Sequence, residues 1–334
     1  MKEAIVSAGP KVKIVDSDVP KPGPDQVLIK VAVAGANPKD WKLPEWTDME
    51  VNQGDDCAGT VEAVGENVTT FSPGDRVAGF HQTGTPGGTY AAYALCPSHT
   101  SFHIPESLSF EEAATIPCTA GTAAVGLYTR VGGLGLPLPF LPAHDDPIPL
   151  VIYGASGSVG SFAVQLATKS HIHPLICVAG GSGSTLEPFL DRSKGDTIID
   201  YRKGDESVVK EIKEALDGMP LRYALDTVAH KNTTKNIAEA MPHGGQIARA
   251  LPPEGGLLND VEQFQLSVGT VHSDQKDFGF VLYQLFGLGL KDGWFKPRPY
   301  EVVPGGIEGV EEALVSLKKG KPAKYVFRIS EGPQ

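Results

Sequence analysis

The residues best placed to do chemistry here are glycines and serines. Gly154-Ala155-Ser156-Gly157-Ser158-Val159-Gly160 follows the apolar run Leu150-Val151-Ile152-Tyr153 and opens onto a helical pattern from Val159 to Lys169. Glycines at 154, 157 and 160 permit a tight turn, a close approach of backbone to pyrophosphate, and close helix–strand contact. The helix start adds N–H donors without partners and a positive dipole end. Between a buried strand and an amphipathic helix, this spacing predicts a dinucleotide site on Gly154, Ala155, Ser156, Gly157, Ser158 and Val159. A turn that serves packing alone is the bland alternative.

Which dinucleotide binds is read at the end of the second strand, about 20 residues later. That stretch is Val178-Ala179-Gly180-Gly181-Ser182-Gly183-Ser184, and no acid appears before Glu187. A carboxylate would repel a 2′-phosphate, so Gly180 and Ser182 leave room for NADPH and Ser182 can donate to that phosphate. Tyr201 and Arg202, after the third strand, are further candidates. Read without function, Tyr201 is a packed loop aromatic and Arg202 a solvated charge.

These groups need a scaffold. The chain has 334 residues, enough for two domains. From residue 150 onward, short apolar runs alternate with helical patterns: Leu175–Val178, Thr197–Asp200, a helix over 207–216, Tyr223–Asp226, a helix over 232–241, and Gln246–Ala248. This alternation predicts a parallel sheet with right-handed crossovers. Residues 1–110 read instead as short strands and turns, and a helix is expected after Ser109, with Glu111 and Glu112 in its first turn. The segment 132–149 is Pro-rich and reads as a surface loop. The net charge of −11 disfavours nucleic acid and anionic membranes as partners. No apolar window reaches the ~18 residues of a membrane span. The N-terminus reads as a strand and not a signal peptide, and four cysteines stand without a CxxC pair. Together these features suit a reduced, cytoplasmic protein.

Several blocks in order carry a family resemblance. They are Gly35-Ala36-Asn37-Pro38-Lys39-Asp40, Gly54-Asp55-Asp56-Cys57-Ala58-Gly59-Thr60-Val61, Val64-Gly65 with Phe71–Val77, residues Pro117–Ala123, and the glycine loop. In these the chain resembles the medium-chain dehydrogenase/reductase superfamily along nearly its full length. The resemblance implies an α/β protein of two parts. A GroES-like β-rich catalytic domain covers 1–120 and is rejoined by 271–334, and a Rossmann doubly wound parallel-sheet cofactor domain covers 121–270. The Pro-rich insertion Gly135–Pro139, Leu221–Asp226, Asp200-Tyr201-Arg202 and Val303–Gly306 look like the quinone oxidoreductase and trans-acting enoyl reductase branch, including ToxD-like proteins.

Matched block to block, the zinc-ligand positions of the superfamily's alcohol dehydrogenases hold Asn37, Asp55 and Cys118, and the four-cysteine structural lobe is missing. Zinc needs three good protein ligands and an open position, so no metal is expected. Without that Lewis acid the expected chemistry moves from alcohol oxidation to double-bond reduction. By resemblance, Thr122 lies beside the nicotinamide ribose, Asn37 lines the nicotinamide pocket, and Lys42 faces the cleft, to stabilise an enolate or meet an anionic carrier. Lys42 as an ordinary loop lysine is equally open. Ala250-Leu251 and Val271-His272-Ser273 match two approaches to the nicotinamide, and Lys324 sits near the cofactor in the closing strand. No Ser-His-Asp set or acid pair stands out, so the proton donor stays open.

The expected activity is NADPH-dependent hydride transfer to an activated C=C in an enone, enoyl thioester or quinone. The substrate is free or carrier-tethered, and the enzyme is a monomer or homodimer. The alternatives are a non-catalytic NADPH-binding or regulatory protein, and a zinc-free alcohol dehydrogenase.

Overall fold

The computed structural model describes residues 1–144, 146–252, 258, 260–321 and 323–329. In chain order the first elements are strands β1 (Lys2–Ser7), β2 (Lys11–Asp16) and β3 (Gln26–Gly35), then helix α1 (Lys39–Thr47). Next come β4 (Asp56–Val64), β5 (Arg76–Phe80), β6 (Tyr93–Pro97), β7 (Ser101–His103), α2 (Phe110–Ala113) and α3 (Pro117–Tyr128). The alternating part runs β8 (Leu150–Tyr153), α4 (Ser158–Lys169), β9 (Leu175–Ala179), β10 (Thr197–Asp200), α5 (Asp205–Leu216), β11 (Tyr223–Asp226), α6 (Thr233–Ala238), β12 (Gly245–Arg249) and β13 (Val261–Gln265). The chain closes with α7 (Lys276–Asp292), β14 (Glu301–Val303), α8 (Val310–Lys318) and β15 (Tyr325–Arg328).

Two compact units result: Met1–Gly121 with Gly269–Gln334, and Thr122–Val268. In the second unit all strand pairs are parallel, in the order β10-β9-β8-β11-β12-β13. Counted from the unit's first strand this is 3-2-1-4-5-6, the doubly wound arrangement, with its switch point between β8 and β11. β8 and β9 are buried at every position, as a sheet covered on both faces requires. The carboxyl ends of the strands share one edge, and the loops after β8, β9, β10 and β12 leave from it.

The first unit is built on a seven-stranded sheet in the order β14-β15-β3-β4-β5-β7, with β6 also on β3. Its core joins Val27, Ile29, Val31, Val77, Tyr90, Leu314 and Phe327. α2 starts where expected. Ser109 accepts from the Glu112 backbone, and the Glu112 side chain accepts from the Ser109 N–H, a complete capping box.

Two expectations need correction. The segment 132–149 is not wholly a surface loop. Leu134 and Leu136 are buried, and their N–H groups donate to the carbonyls of Gly126 and Leu127 at 2.9 Å each. The strip is thus pinned to the end of α3 by apolar side chains. The helix expected over 232–241 is shorter, Thr233–Ala238: the Thr233 and Thr234 hydroxyls donate to Asp226 at 2.7 Å and fix its start, and after Ala238 the N–H groups of Ala240 and Met241 turn to the carbonyls three residues back, Ile237 and Ala238, which ends the α-helical ladder. No described helix is long and apolar enough to cross a membrane.

Candidate active site

The glycine loop leaves β8 through Gly154, at φ +76°. A Cβ there would stand 2.6 Å from both Thr227 Oγ1 and Val228 Cγ2, so this turn needs glycine. The N–H groups of Gly154 and Ala155 both donate to the Val178 carbonyl, at 2.9 and 3.0 Å. That ties the loop to the neighbouring strand. Gly160 sits against the Gly154 carbonyl and brings α4 onto the turn. α4 starts at Ser158 behind its N-cap Gly157, which has no side-chain cap bond, so the first-turn N–H groups have no partner within the helix. This cradle suits a pyrophosphate.

The rim beside it gathers residues from three loops. Ser182 Oγ donates to Ser156 Oγ at 2.9 Å. The Tyr201 ring covers Gly180, where a Cβ would meet its Cε1 at 2.9 Å, and Tyr201 is half exposed. Arg202 reaches Gly181, but its guanidinium is held by Asp200, with Nη2–Oδ2 at 2.6 Å. Hydrogen bonds from Arg202 in turn hold the Asp200 carboxyl down to about 2. Ala250 follows β12 on the same sheet edge, its N–H donating to the Asp226 carbonyl at 2.9 Å. Leu251 is next to it.

In the first unit, sheet register assembles a buried ionic cluster. Gly35 on β3 pairs with Asp56 on β4 and with Val326 on β15. Asn37 and Lys324 lie just beyond these pairs, at the same edge. Lys324 Nζ donates to Asp56 Oδ2 at 2.7 Å and to Asn37 Oδ1 at 2.9 Å. Asn37 Nδ2 donates to Asp56 Oδ2 at 2.8 Å, and the Cys118 N–H to Asp56 Oδ1 at 2.6 Å. Beside this lies a second group. Lys39 Nζ contacts Asp55 Oδ2 at 2.6 Å, the Gln53 carbonyl at 2.6 Å and Asp40 Oδ1 at 3.0 Å. Tyr90 OH and the Asn37 N–H donate to Asp40 Oδ2 at 2.6 and 2.7 Å. The Thr83 hydroxyl donates to Asp55 Oδ2. Asp55 Oδ1 and both side-chain polar atoms of Gln53 are buried with no hydrogen-bond partner among the described residues. The cluster therefore has donor and acceptor capacity to spare.

Electrostatics follow from this inventory. Burial works against the Lys39 ammonium, but Asp55 and Asp40 outweigh it and hold its pKa above the ordinary lysine value. Three carboxylates (Asp40, Asp55, Asp56) face two ammoniums, so one negative charge is uncompensated. Burial pushes the Asp40 carboxyl up to about 6, against the pull of Lys39. A carboxyl with a raised folded pKa holds its proton more tightly in the folded state. The stability it contributes is therefore full below about pH 4 and is lost as pH rises through the folded value. Urea denaturation of the parent and Asp40→Asn between those limits and neutral pH is expected to show the parent losing stability relative to the variant as pH climbs. A difference that does not move with pH would contradict this.

The donor set does not fit a catalytic zinc. Asn37 is engaged by Lys324, Asp55 by Lys39 and Thr83, and burial keeps the Cys118 thiol protonated, with Asp56 and Asp55 adding to the effect. Among the described residues no group of three His, Cys, Asp or Glu side chains is arranged to hold a metal.

The structure brings Asn37 and Lys324 together, and separately it brings the glycine loop, Gly180, Ser182 and Tyr201 together. Lys42 lies outside the ionic cluster. It is half-buried on α1, with its Nζ 5.5 Å from the Trp41 ring centre. Thr122 is half-buried on α3, the first residue of the second unit. His272 belongs to the first unit, in a 3₁₀ turn after β13, its ring tilted against that of Phe80 with the centres 4.9 Å apart. Sequence reasoning passed over Lys39, Asp40 and Tyr90. The only signal for the first two was their place inside the Gly35–Asp40 block.

An alcohol dehydrogenase GroES-like domain model matches residues 23–106. The trans-enoyl reductase fsr4 of Gibberella fujikuroi is 49% identical over 317 residues, covering 92% of each chain. Two solved structures share the fold. CurK enoyl reductase has a TM-score of 0.75 and 20% identity over 97% of this chain and 98% of its own. Escherichia coli quinone oxidoreductase complexed with NADPH has a TM-score of 0.74 and 16% identity over 98% and 99%. The chain belongs to the medium-chain dehydrogenase/reductase superfamily, in the branch that holds the trans-enoyl reductases.

Proposed function

We propose that the protein is an NADPH-dependent enoyl reductase that acts in trans on a carrier-tethered α,β-unsaturated thioester. The observation that carries this is the near-half identity to a trans-enoyl reductase along nine-tenths of both chains. Bound NADPH supplies the hydride. The first-turn N–H groups of α4 hold the pyrophosphate, and the uncharged rim of Gly180 and Ser182 under Tyr201 admits the 2′-phosphate. Thr122 orients the ribose or donates to the substrate carbonyl. Asn37 is fixed by Lys324 and Asp56 and keeps its pocket wall rigid. Lys42 provides an ammonium for the charge that develops on the carbonyl oxygen. On this reading the first unit holds the thioester and the second the cofactor.

The test is nicotinamide oxidation by the purified protein with a crotonyl thioester, a simple enone, a quinone and, in reverse, a primary alcohol. The expected result is turnover of the thioester with NADPH, at least about tenfold more efficient than with NADH. Tight cofactor binding without turnover of any acceptor would point to a regulatory protein, and turnover of the alcohol alone to a dehydrogenase. Either result would overturn the proposal.

A further inference from the structure

Hydride transfer to an enoyl thioester leaves an enolate, and its α-carbon must then take a proton. The groups in and around the ionic cluster differ in whether they can give one. Tyr90 and Tyr283 are fully buried, and their hydroxyls are committed to Asp40 and to the Pro117 carbonyl. The Lys324 ammonium is buried and committed to Asp56 and Asn37. Lys39 differs on both counts. Its side chain keeps 22% of its surface open, while Asp40 and Asp55 beside it have none. An ammonium has three N–H groups. Here one meets the Gln53 carbonyl and one lies against Asp55 Oδ2, both at 2.6 Å. The third is left over: Asp40 Oδ1 is 3.0 Å away but accepts no hydrogen bond from any described residue.

The same contacts give a route by which the proton is replaced. Asp55 Oδ2 is shared by the Lys39 ammonium and the Thr83 hydroxyl, which donates to it. Thr83 is half-buried in the turn after β5, so the line Thr83–Asp55–Lys39 joins a part-exposed hydroxyl to the ammonium. Asp55 and Asp40 keep Lys39 charged against the effect of burial, so the proton is in place before each turnover. Even an ammonium held this tightly is a far stronger acid than the α-C–H of a thioester, and the transfer runs downhill. Lys39 and Lys42 stand three residues apart on α1, and so on one face of the helix. With the Lys42 ammonium at the enolate oxygen, its neighbour is placed for the adjoining carbon.

We propose that Lys39 donates the proton to the substrate α-carbon and is resupplied through Asp55 and Thr83. The inference rests on the enoyl reductase reading above. As the α-C–H bond forms, one N–H bond of Lys39 breaks and its electron pair stays on nitrogen. The neutral amine takes a proton from Asp55, which takes one from the Thr83 hydroxyl, which takes one from solvent. The experiment measures kcat and KM for the crotonyl thioester of N-acetylcysteamine with NADPH saturating. Lys39→Met combined with Asp55→Asn removes the ammonium together with its partner carboxylate. The net charge of the cluster is unchanged, so this variant should fold. Its kcat is expected to fall by about 100-fold or more, the ordinary worth of a general acid, with KM within about threefold of the parent. Lys39→Arg keeps the positive charge beside Asp55, but a guanidinium does not give up a proton. Its kcat should stay at least about tenfold below the parent, whereas a lysine that only braces Asp55 would be replaced by arginine without loss. Thr83→Val removes the relay hydroxyl from a part-exposed side chain and should lower kcat by about three- to tenfold. A double variant with kcat within about threefold of the parent, full activity in Lys39→Arg, or a loss confined to KM would overturn the role of Lys39 while leaving enoyl reduction intact. Parent-like kcat in Thr83→Val would overturn the resupply path. If the parent reduces no thioester, the underlying reading falls, and the assignment of Lys39 with it.

Discussion

Lys324→Met is expected to lower folding stability by about 3–5 kcal/mol, the usual cost of leaving one partner of a buried ion pair without the other. The Lys324 ammonium is 2% exposed and is shared between Asp56 and Asn37. Methionine has similar length but donates nothing, so Asp56 would keep only the Asn37 amide and the Cys118 N–H. The second variant makes the origin of the loss plain. Adding Asp56→Asn removes the stranded charge and leaves an oxygen to accept from Cys118. The double variant should therefore be more stable than Lys324→Met alone, with a coupling energy well above the ~0.5 kcal/mol scatter of independent sites. Urea denaturation of the four proteins of this cycle measures it. A loss below about 1 kcal/mol for Lys324→Met, or additive effects, would mean that solvent reaches the pair and that the cluster does not hold the edge of the β15-β3-β4 sheet together.

The same cluster shows where the sequence stops being readable. The parallel unit was legible because its signals are local. Leu150–Tyr153, Thr197–Asp200 and Tyr223–Asp226 are short apolar runs closed by glycine or acid, and each is a strand with those bounds. The glycine loop follows from spacing alone. The ionic cluster depends on contacts between distant segments. Tyr90 meets Asp40 across fifty residues, and Lys324 meets Asp56 across 268. No periodicity of 2 or 3.6 marks a charge that is buried only because a partner arrives from another strand. A lysine is exposed by default, and nothing local separates Lys39, which is locked between two carboxylates, from Lys42, which lies by Trp41. The Pro-rich strip after α3 failed for a related reason. Prolines and glycines mark a break in regular structure, but the two leucines between them are what bury it.

Gly160→Ala is expected to weaken NADPH binding by about 100-fold or more, which corresponds to about 2.7 kcal/mol. A Cβ at this position would stand 2.3 Å from the Gly154 carbonyl oxygen and 2.7 Å from Ala155 Cα. Both neighbours are backbone, so no side-chain rotation relieves the overlap. α4 must instead move off the turn, and overpacking of this kind costs about 1–3 kcal/mol. On the proposed reading, that movement carries the first-turn N–H groups away from the pyrophosphate, which they would bind as a set. Gly157→Ala gives the graded comparison. Its nearest contact would be the same carbonyl at 3.0 Å, which a few tenths of an ångström relieves, so the loss there should be clearly smaller. Fluorescence titration with NADPH measures both, and far-ultraviolet circular dichroism checks that the variants stay folded. If Gly160→Ala binds within about threefold of the parent, or if Gly157→Ala is the worse of the two, close contact between helix and turn is not what shapes the phosphate cradle.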